Sequence, residues 1–121
     1  MLLPLNSQAE SSTRISIAKG KDCAVYRGNV QNTKTFVMKI KPYDEQLLYI
    51  YSPQMDQFAK VTVRGSLGNI TPQESIGFGI TETNQVYPIH KMGDYHISLT
   101  VMAPVKTINF CVIDNPNGER P

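Results

Sequence analysis

The sequence predicts an all-β protein, an antiparallel β-sandwich or flattened barrel of about eight strands. Runs of alternating apolar and polar residues recur along the chain at intervals of roughly ten residues, with turn-forming residues between them. No stretch has the 3.6-residue period of an amphipathic helix. The clearest strand spans residues 93–102, where Tyr95, Ile97, Leu99 and Val101 alternate with polar residues.

The length of 121 residues fits one domain, which can bury roughly two-thirds of the surface of its unfolded chain. We place the sandwich domain at residues 13–113. Residues 1–12 are expected to be a flexible segment, and residues 114–121, with two prolines and a glycine, a disordered tail.

Five strands are predicted in the first half of the domain, at residues 14–18, 23–30, 35–41, 46–51 and 58–64. In the second strand, Gly28 indicates a bulge. The third directs Phe36, Met38 and Ile40 inward, and the fifth does the same with Val61 and Val63. The fourth is apolar on both faces, which favours a central position.

A linker at residues 65–74, with two glycines, an asparagine and a proline, separates these strands from the rest. Further strands are predicted at residues 75–81, 86–90, 93–102 and 108–112. Pro88 favours an edge position for the second of these. The connection between the last two strands is short, so we expect them to form an antiparallel pair.

Two cysteines, Cys23 and Cys111, lie far apart in the sequence. A disulfide between them would close a loop of nearly the whole domain and contribute roughly 4 to 5 kcal/mol of stability on the chain-entropy model. The alternative is two separate thiols, at least one of them buried as a small apolar side chain. Sequence alone favours the separate thiols, because it does not bring the two Cα atoms within bridging distance.

Charge and motif content argue against several function classes. The formal net charge of +2 is too small to indicate nucleic acid or an anionic membrane as partner, and no apolar run approaches the roughly 20 residues of a membrane span. No cysteine or histidine has metal-ligand spacing, so neither metal nor cofactor is expected. The histidines, His90 and His96, are six residues apart, and no motif frames a nucleophile. We therefore expect no enzymatic activity, and either a monomer or a homodimer.

The amino terminus has two interpretations. The apolar residues 1–5 precede Ser7 and Ala9, whose spacing is that of a signal-peptidase site, which indicates the end of a secretory signal. Against this, the apolar stretch is short and no basic region precedes it, which is more typical of a disordered terminus.

Several short motifs resemble those of one group of bacterial proteins. They are Ile-x-Ile-Ala-Lys-Gly at residues 15–20, a strand ending at Gly28, the sequence Pro-Tyr-Asp-Glu-Gln-Leu at 42–47, and Gly-Asp-Tyr-His-Ile at 93–97. Their order is similar to that in pre-peptidase C-terminal domains and, more closely, in the periplasmic inhibitors of invertebrate-type and goose-type lysozymes. The resemblance covers residues 14–113.

The resemblance implies a periplasmic or secreted, non-enzymatic inhibitor or immunity-like antagonist that inserts loops into the cleft of a cell-wall hydrolase such as a lysozyme. Those inhibitors are rich in Arg, Ser and Gly between their last two strands, whereas residues 102–106 here are short and different. We therefore expect the binding loop at residues 65–73. The alternative function is a glycan- or protein-binding module of the pre-peptidase type.

Five residues are candidates for contact with a partner. Ser66 and Asn69 are able to hydrogen-bond catalytic carboxylates of a target, and Arg64 to pair with one. Tyr87 is a candidate because tyrosine is common at interfaces, and His90 because a loop histidine can serve binding.

Overall fold

The computed structural model describes residues 12–41, 46–72 and 85–114 of the chain. It contains nine strands and one short 3₁₀ helix, Met55–Gln57, within these ranges. The strands are β1 (Thr13–Ile15), β2 (Cys23–Val30), β3 (Thr33–Ile40), β4 (Gln46–Tyr51), β5 (Phe58–Gly65), β6 (Gly68–Asn69), β7 (Gln85–Ile89), β8 (Gly93–Val101) and β9 (Val105–Asp114).

The strands form two sheets that do not close into a barrel. One has five strands in the order β1-β3-β8-β5-β6, and the other has four in the order β2-β9-β4-β7. All neighbouring strands are antiparallel except β1 and β3, which are parallel. The predicted fold class, an all-β sandwich, is confirmed.

The core lies between the two sheets and is built from alternate residues of each strand. In β3 the residues Phe36, Met38 and Ile40 are buried as predicted, and in β5 Val63 is buried while Val61 is half-buried. The ring of Phe36 lies 5.0 Å from that of Phe110, centre to centre, so it joins the five-stranded sheet to the four-stranded sheet.

Three predictions about individual strands are confirmed. Strand β4 is central, between β9 and β7, and Leu47, Leu48 and Ile50 are all buried. Strand β7, which contains Pro88, is at the edge of its sheet among the described residues. The register of β2 against β9 shifts between Arg27 and Val30, the bulge that Gly28 predicted.

The predicted pairing of the last two strands is wrong. Strand β8 lies between β3 and β5 in one sheet, whereas β9 lies between β2 and β4 in the other. The short connection from Val101 to Val105 crosses from one sheet to the other, and both valines are buried at its ends. A short connection between two amphipathic strands fits such a crossing as well as a hairpin, because in both cases the apolar faces meet in the core.

The expectation of two separate thiols is also wrong, because Cys23 and Cys111 form a disulfide. The two cysteines lie directly opposite each other on β2 and β9, with their Cα atoms 4.0 Å apart. The N–H of Val112 donates to the carbonyl oxygen of Asp22, which makes the cysteines a non-hydrogen-bonded pair. Such pairs have the shortest Cα separation in an antiparallel ladder, and only the register of β2 on β9 could reveal this one.

Some sequence predictions lie outside the described residues. They are the strand at residues 75–81, the flexible segment 1–12 except Ser12, and the tail 114–121 except Asp114, which is the last residue of β9. Within the described ranges, no helix is long and apolar enough to cross a membrane, and no group of three or more potential metal ligands occurs.

Candidate functional site

A cleft of about 300 Å³ opens where an edge of one sheet meets an edge of the other. One wall is the hairpin formed by β5 and β6, at the edge of the five-stranded sheet. The other wall is Pro88 of the edge strand β7, followed by His90 and Lys91. Among the described residues, the cleft therefore lies at the side of the sandwich, between the outermost strands β6 and β7.

The hairpin is a tight turn of two residues, Ser66 and Leu67, between the paired glycines Gly65 and Gly68. Gly68 has a φ of +108°, which L side chains rarely adopt, so glycine is required there. The turn projects the side chain of Leu67, which is 81% exposed. A leucine this exposed at the tip of a turn buries too little apolar surface to stabilise its own fold.

Tyr95 of β8 contributes the floor of the cleft. Its ring is buried beneath Gly65, and a Cβ on that glycine would lie only 2.7 Å from Cε2 of the ring. The Tyr95 hydroxyl donates a hydrogen bond to the carbonyl oxygen of Lys91, which fixes the segment after β7 against the floor. Burial raises the pKa of Tyr95 above its ordinary value, so the phenol remains a neutral donor at pH 7.

The described lining of the cleft has basic residues and no acidic ones. Lys91 and His90 are exposed at its rim, and the hydroxyl of Ser66 and the amide of Asn69 supply uncharged hydrogen-bonding groups. Leu67, Ile70 and Pro88 add apolar surface. This chemistry suits a partner that presents carboxylates beside an apolar contact.

Three of the predicted site residues, Ser66, Asn69 and His90, line this cleft together. They come from both sheets, so the fold brings His90 to the hairpin across twenty intervening residues of sequence that include the predicted strand at 75–81. Arg64 is exposed but is not part of the lining. It lies on the outer face of the five-stranded sheet, in register with His96 on one side and Asn69 on the other.

Tyr87 requires a correction, because its side chain is 1% exposed and belongs to the core. Its hydroxyl donates to Oε1 of Gln85 at 2.9 Å, and burial raises its pKa to about 12. On β7 the inward residues are Tyr87 and Ile89, opposite Leu48 and Gln46 of β4. A tyrosine at this inward position is not accessible to a partner of the folded protein.

Sequence reasoning missed Leu67, Lys91 and Tyr95. Leu67 could have been identified from the sequence. It is an apolar residue between two glycines in a polar linker, and it does not belong to the alternating pattern of any predicted strand. Lys91 lies in no motif that sets it apart from the other lysines, and Tyr95 has the pattern of an ordinary inward residue of its strand. Their relation to the hairpin depends on the pairing of β5 with β8, which the sequence did not reveal.

Solved structures resemble this sandwich over nearly all of their own length. A mutant of PliG from Escherichia coli, a periplasmic lysozyme inhibitor of g-type lysozyme, matches with a TM-score of 0.55 at 12% identity, covering 86% of this chain and 99% of the other. PliG from Salmonella Typhimurium, also a periplasmic lysozyme inhibitor of g-type lysozyme, matches with a TM-score of 0.54 at 13% identity. The match covers 86% of this chain and 99% of the other. The pre-peptidase C-terminal domain of collagenase from Bacillus anthracis matches with a TM-score of 0.53 at 11% identity. That match covers 88% of this chain and 99% of the other.

The chain shares the fold of these sandwiches. The resemblance predicted from the short sequence motifs is thereby confirmed in the fold. No family model and no curated protein matches the sequence.

Proposed function

We propose that the chain is an exported, non-enzymatic inhibitor of a cell-wall hydrolase of the lysozyme kind, and that it acts by inserting the β5–β6 hairpin into the active-site cleft of its target. The observation that carries this proposal is the hairpin itself. Its tip residue, Leu67, is 81% exposed and lines a cleft that combines apolar surface with basic and uncharged polar groups. The site therefore offers one protruding element with polar groups next to it.

The chemistry of the target supports this choice. Glycoside hydrolases generally use a pair of Asp or Glu side chains that flank the bond they cleave. Lys91 and His90 at the rim would face that acidic cleft, and Ser66 and Asn69 would donate hydrogen bonds to its carboxylates. Arg64, exposed just before the turn, would reach the rim of the target. Charge complementarity of this kind also raises the rate of association.

The cysteines support an exported protein in the periplasm or outside the cell. Disulfides form and persist in oxidising compartments and are rare in the cytosol. The disulfide between Cys23 and Cys111, together with the periplasmic location named for the two PliG inhibitors, supports this location.

A non-enzymatic role is supported by the distribution of the candidate catalytic groups. His90 lines the cleft, whereas His96 lies on the outer face of the five-stranded sheet with Ser98. The fold neighbours include two inhibitors, which is consistent with the same role.

The test is a titration of the purified protein into peptidoglycan-lysis assays with chicken-type, goose-type and invertebrate-type lysozymes. We expect one of them, the goose-type enzyme first, to lose its activity at a near-equimolar ratio of protein to enzyme. Full activity of all three enzymes at a tenfold excess would overturn the proposal for lysozymes.

A second function, attachment to glycan or protein as a pre-peptidase module, has support from the Bacillus anthracis domain of the same fold and from one exposed aromatic residue. Tyr51 is 39% exposed on the outer face of the four-stranded sheet, with Tyr49 on the same face. This function predicts binding to insoluble peptidoglycan with no enzyme present. Tyr51→Ala would then abolish retention, whereas the inhibitor role predicts no effect of this change.

A further inference from the structure

The outer face of the five-stranded sheet carries an unbalanced set of positive charges. Arg14, Lys39, Lys60 and Arg64 are all exposed there, on strands β1, β3 and β5. Asp94 is the one acidic residue among the described residues of this face, which leaves a surplus of three positive charges with histidine neutral. The whole chain has a formal net charge of only +2, so this face is more positive than the whole molecule. We call it the basic face.

Asp94 is already occupied within the sheet. Its carboxylate accepts hydrogen bonds at 3.4 Å from both terminal nitrogens of Arg14, across 80 residues of sequence. The hydrogen bond from Arg14 holds the pKa of Asp94 below its ordinary value, and the charges of Arg14, Lys39 and His96 act in the same direction. Arg14 and Asp94 therefore neutralise each other, and no other ion pair occurs among the described residues. Lys39, Lys60 and Arg64 remain available to an anion.

Hydroxyl groups occupy the area between these cations. Thr35 and Ser98 face each other on β3 and β8 with their oxygens 3.1 Å apart, and Thr33 and Thr100 do the same at 3.0 Å. Thr62 of β5 is in register with Ser98 and extends the row to a third strand. Each hydroxyl can both donate and accept, so the row retains hydrogen-bonding capacity toward a ligand above the sheet.

The same face lacks the groups that other classes of partner need. No Phe, Tyr or Trp side chain projects from its described strands, and its apolar residue Val37 is only 8% exposed. Stable protein interfaces use buried aromatic and apolar anchors, and proteins that bind single-stranded nucleic acid stack bases on aromatic rings. A flat surface of hydroxyls and separated cations fits a hydrated chain that is rich in hydroxyl groups and carries anionic groups at intervals.

We propose that the basic face binds an acidic polysaccharide, whose carboxylates pair with Lys39, Lys60 and Arg64 while its sugar hydroxyls bond to the threonine and serine row. These cations are well separated: Lys39 and Lys60 are in register with Asp94 and Thr100, which lie six residues or about 20 Å apart along β8. A ligand must therefore be an extended chain rather than a single anion. The basic face shares Arg64 with the proposed inhibitory contact, but Lys39 and Lys60 lie outside the cleft lining, so a test on these two lysines is independent of the inhibitor role.

The test compares two charge-matched double variants by calorimetry at low salt, with polygalacturonate as the probe. Lys39→Gln/Lys60→Gln removes two charges from the basic face. Lys21→Gln/Lys106→Gln removes two from exposed positions outside it and serves as the control. All four lysines are exposed, so both variants should fold, which circular dichroism checks.

The native protein and the control should bind polygalacturonate alike, and the basic-face variant should bind about fivefold more weakly, as expected for two exposed charge contacts. The binding should also weaken as salt is added. Equal affinity of both variants, no binding by the native protein, or equally tight binding of polyglutamate or an oligothymidylate would overturn the proposal.

Discussion

Gly65 decides how closely the β5–β6 hairpin approaches the ring of Tyr95. A methyl group at this position would lie 2.7 Å from Cε2 of a ring that is 4% exposed and anchored through its hydroxyl to Lys91. The ring has little room to move, because it forms part of the core.

We therefore expect Gly65→Ala to lower the free energy of unfolding by about 1 to 3 kcal/mol, a typical cost of overpacking. Urea unfolding measures it, with Ser66→Ala, at an exposed neighbouring position, as the control. Tyr95→Leu in the same chain should reduce the cost of the alanine, which a double-mutant cycle detects. Fully additive effects would contradict a contact between the two residues.

Tyr87 gives the stability of the protein a dependence on alkaline pH. Burial raises its pKa from 10.0 to about 12, so the folded state favours the neutral phenol more than the unfolded state does. The resulting stability is fully present below about pH 10 and is lost as pH rises toward about 12.

In Tyr87→Phe, the decline in the free energy of unfolding between pH 9 and pH 11 should be smaller than in the native protein. The decline should not vanish, because burial also raises the pKa of Tyr95 and Tyr49. At pH 7 the variant should lose about 1 kcal/mol with the hydrogen bond to Gln85. Urea unfolding of both proteins at pH 7, 9 and 11 measures these changes. The same alkaline decline in both proteins would contradict a contribution of Tyr87 to the pH dependence.

At the scale of elements, the hairpin is the part of the molecule that the proposed inhibition requires. Leu67 projects from the turn and contributes nothing to the core, so Leu67→Ser should leave the free energy of unfolding within about 0.5 kcal/mol of the native value. Inhibition of the target should nevertheless weaken at least about tenfold, as expected when a buried apolar anchor is lost.

Met102→Ser provides the matched control for this prediction. Met102 is 66% exposed and follows β8, whose other end lies at the cleft, so it is at the far end of the sandwich. The Met102→Ser variant should inhibit lysis as strongly as the native protein does in a lysis titration. Equal inhibition by both variants would exclude the hairpin as the inserted element.

The disulfide acts on the pairing of β2 with β9. It joins residues 88 apart in sequence, and on the chain-entropy model such a loop contributes roughly 4 to 5 kcal/mol. The double variant Cys23→Ser/Cys111→Ala should therefore be less stable by about this amount in urea unfolding. A loss below about 1 kcal/mol would show that the bridge does not stabilise the fold in this way.

Individual strands were predictable because alternation is a local property. The inward residues Phe36, Met38 and Ile40 follow directly from it, and Pro88 identified an edge strand. Strand partners were not predictable, because the inward face of a strand is the same whichever sheet it joins. The same limit hid the disulfide, since the approach of Cys23 to Cys111 depends on which strand lies beside β2.

At the scale of the whole molecule, the candidate site forms where the outermost described strand of one sheet, β6, lies beside the outermost described strand of the other, β7. Ser66 and Asn69 could be grouped from sequence because they share one turn region, and His90 was proposed separately. Their meeting in one cleft depends on β6 and β7 being edges of opposite sheets. The same information was needed to see that Tyr87 points into the core, while His90, three residues later, reaches the rim of the cleft.

In the proposed complex, the β5–β6 hairpin occupies the substrate cleft of a lysozyme. The most direct measurement is calorimetric titration of goose-type lysozyme with this protein, in the absence and presence of a saturating N-acetylglucosamine oligomer that fills that cleft. We expect a one-to-one complex whose apparent affinity falls by at least about tenfold when the oligomer is present, because the two ligands compete for one site. An affinity that the oligomer leaves unchanged, or the absence of a complex, would contradict insertion of the hairpin into the cleft.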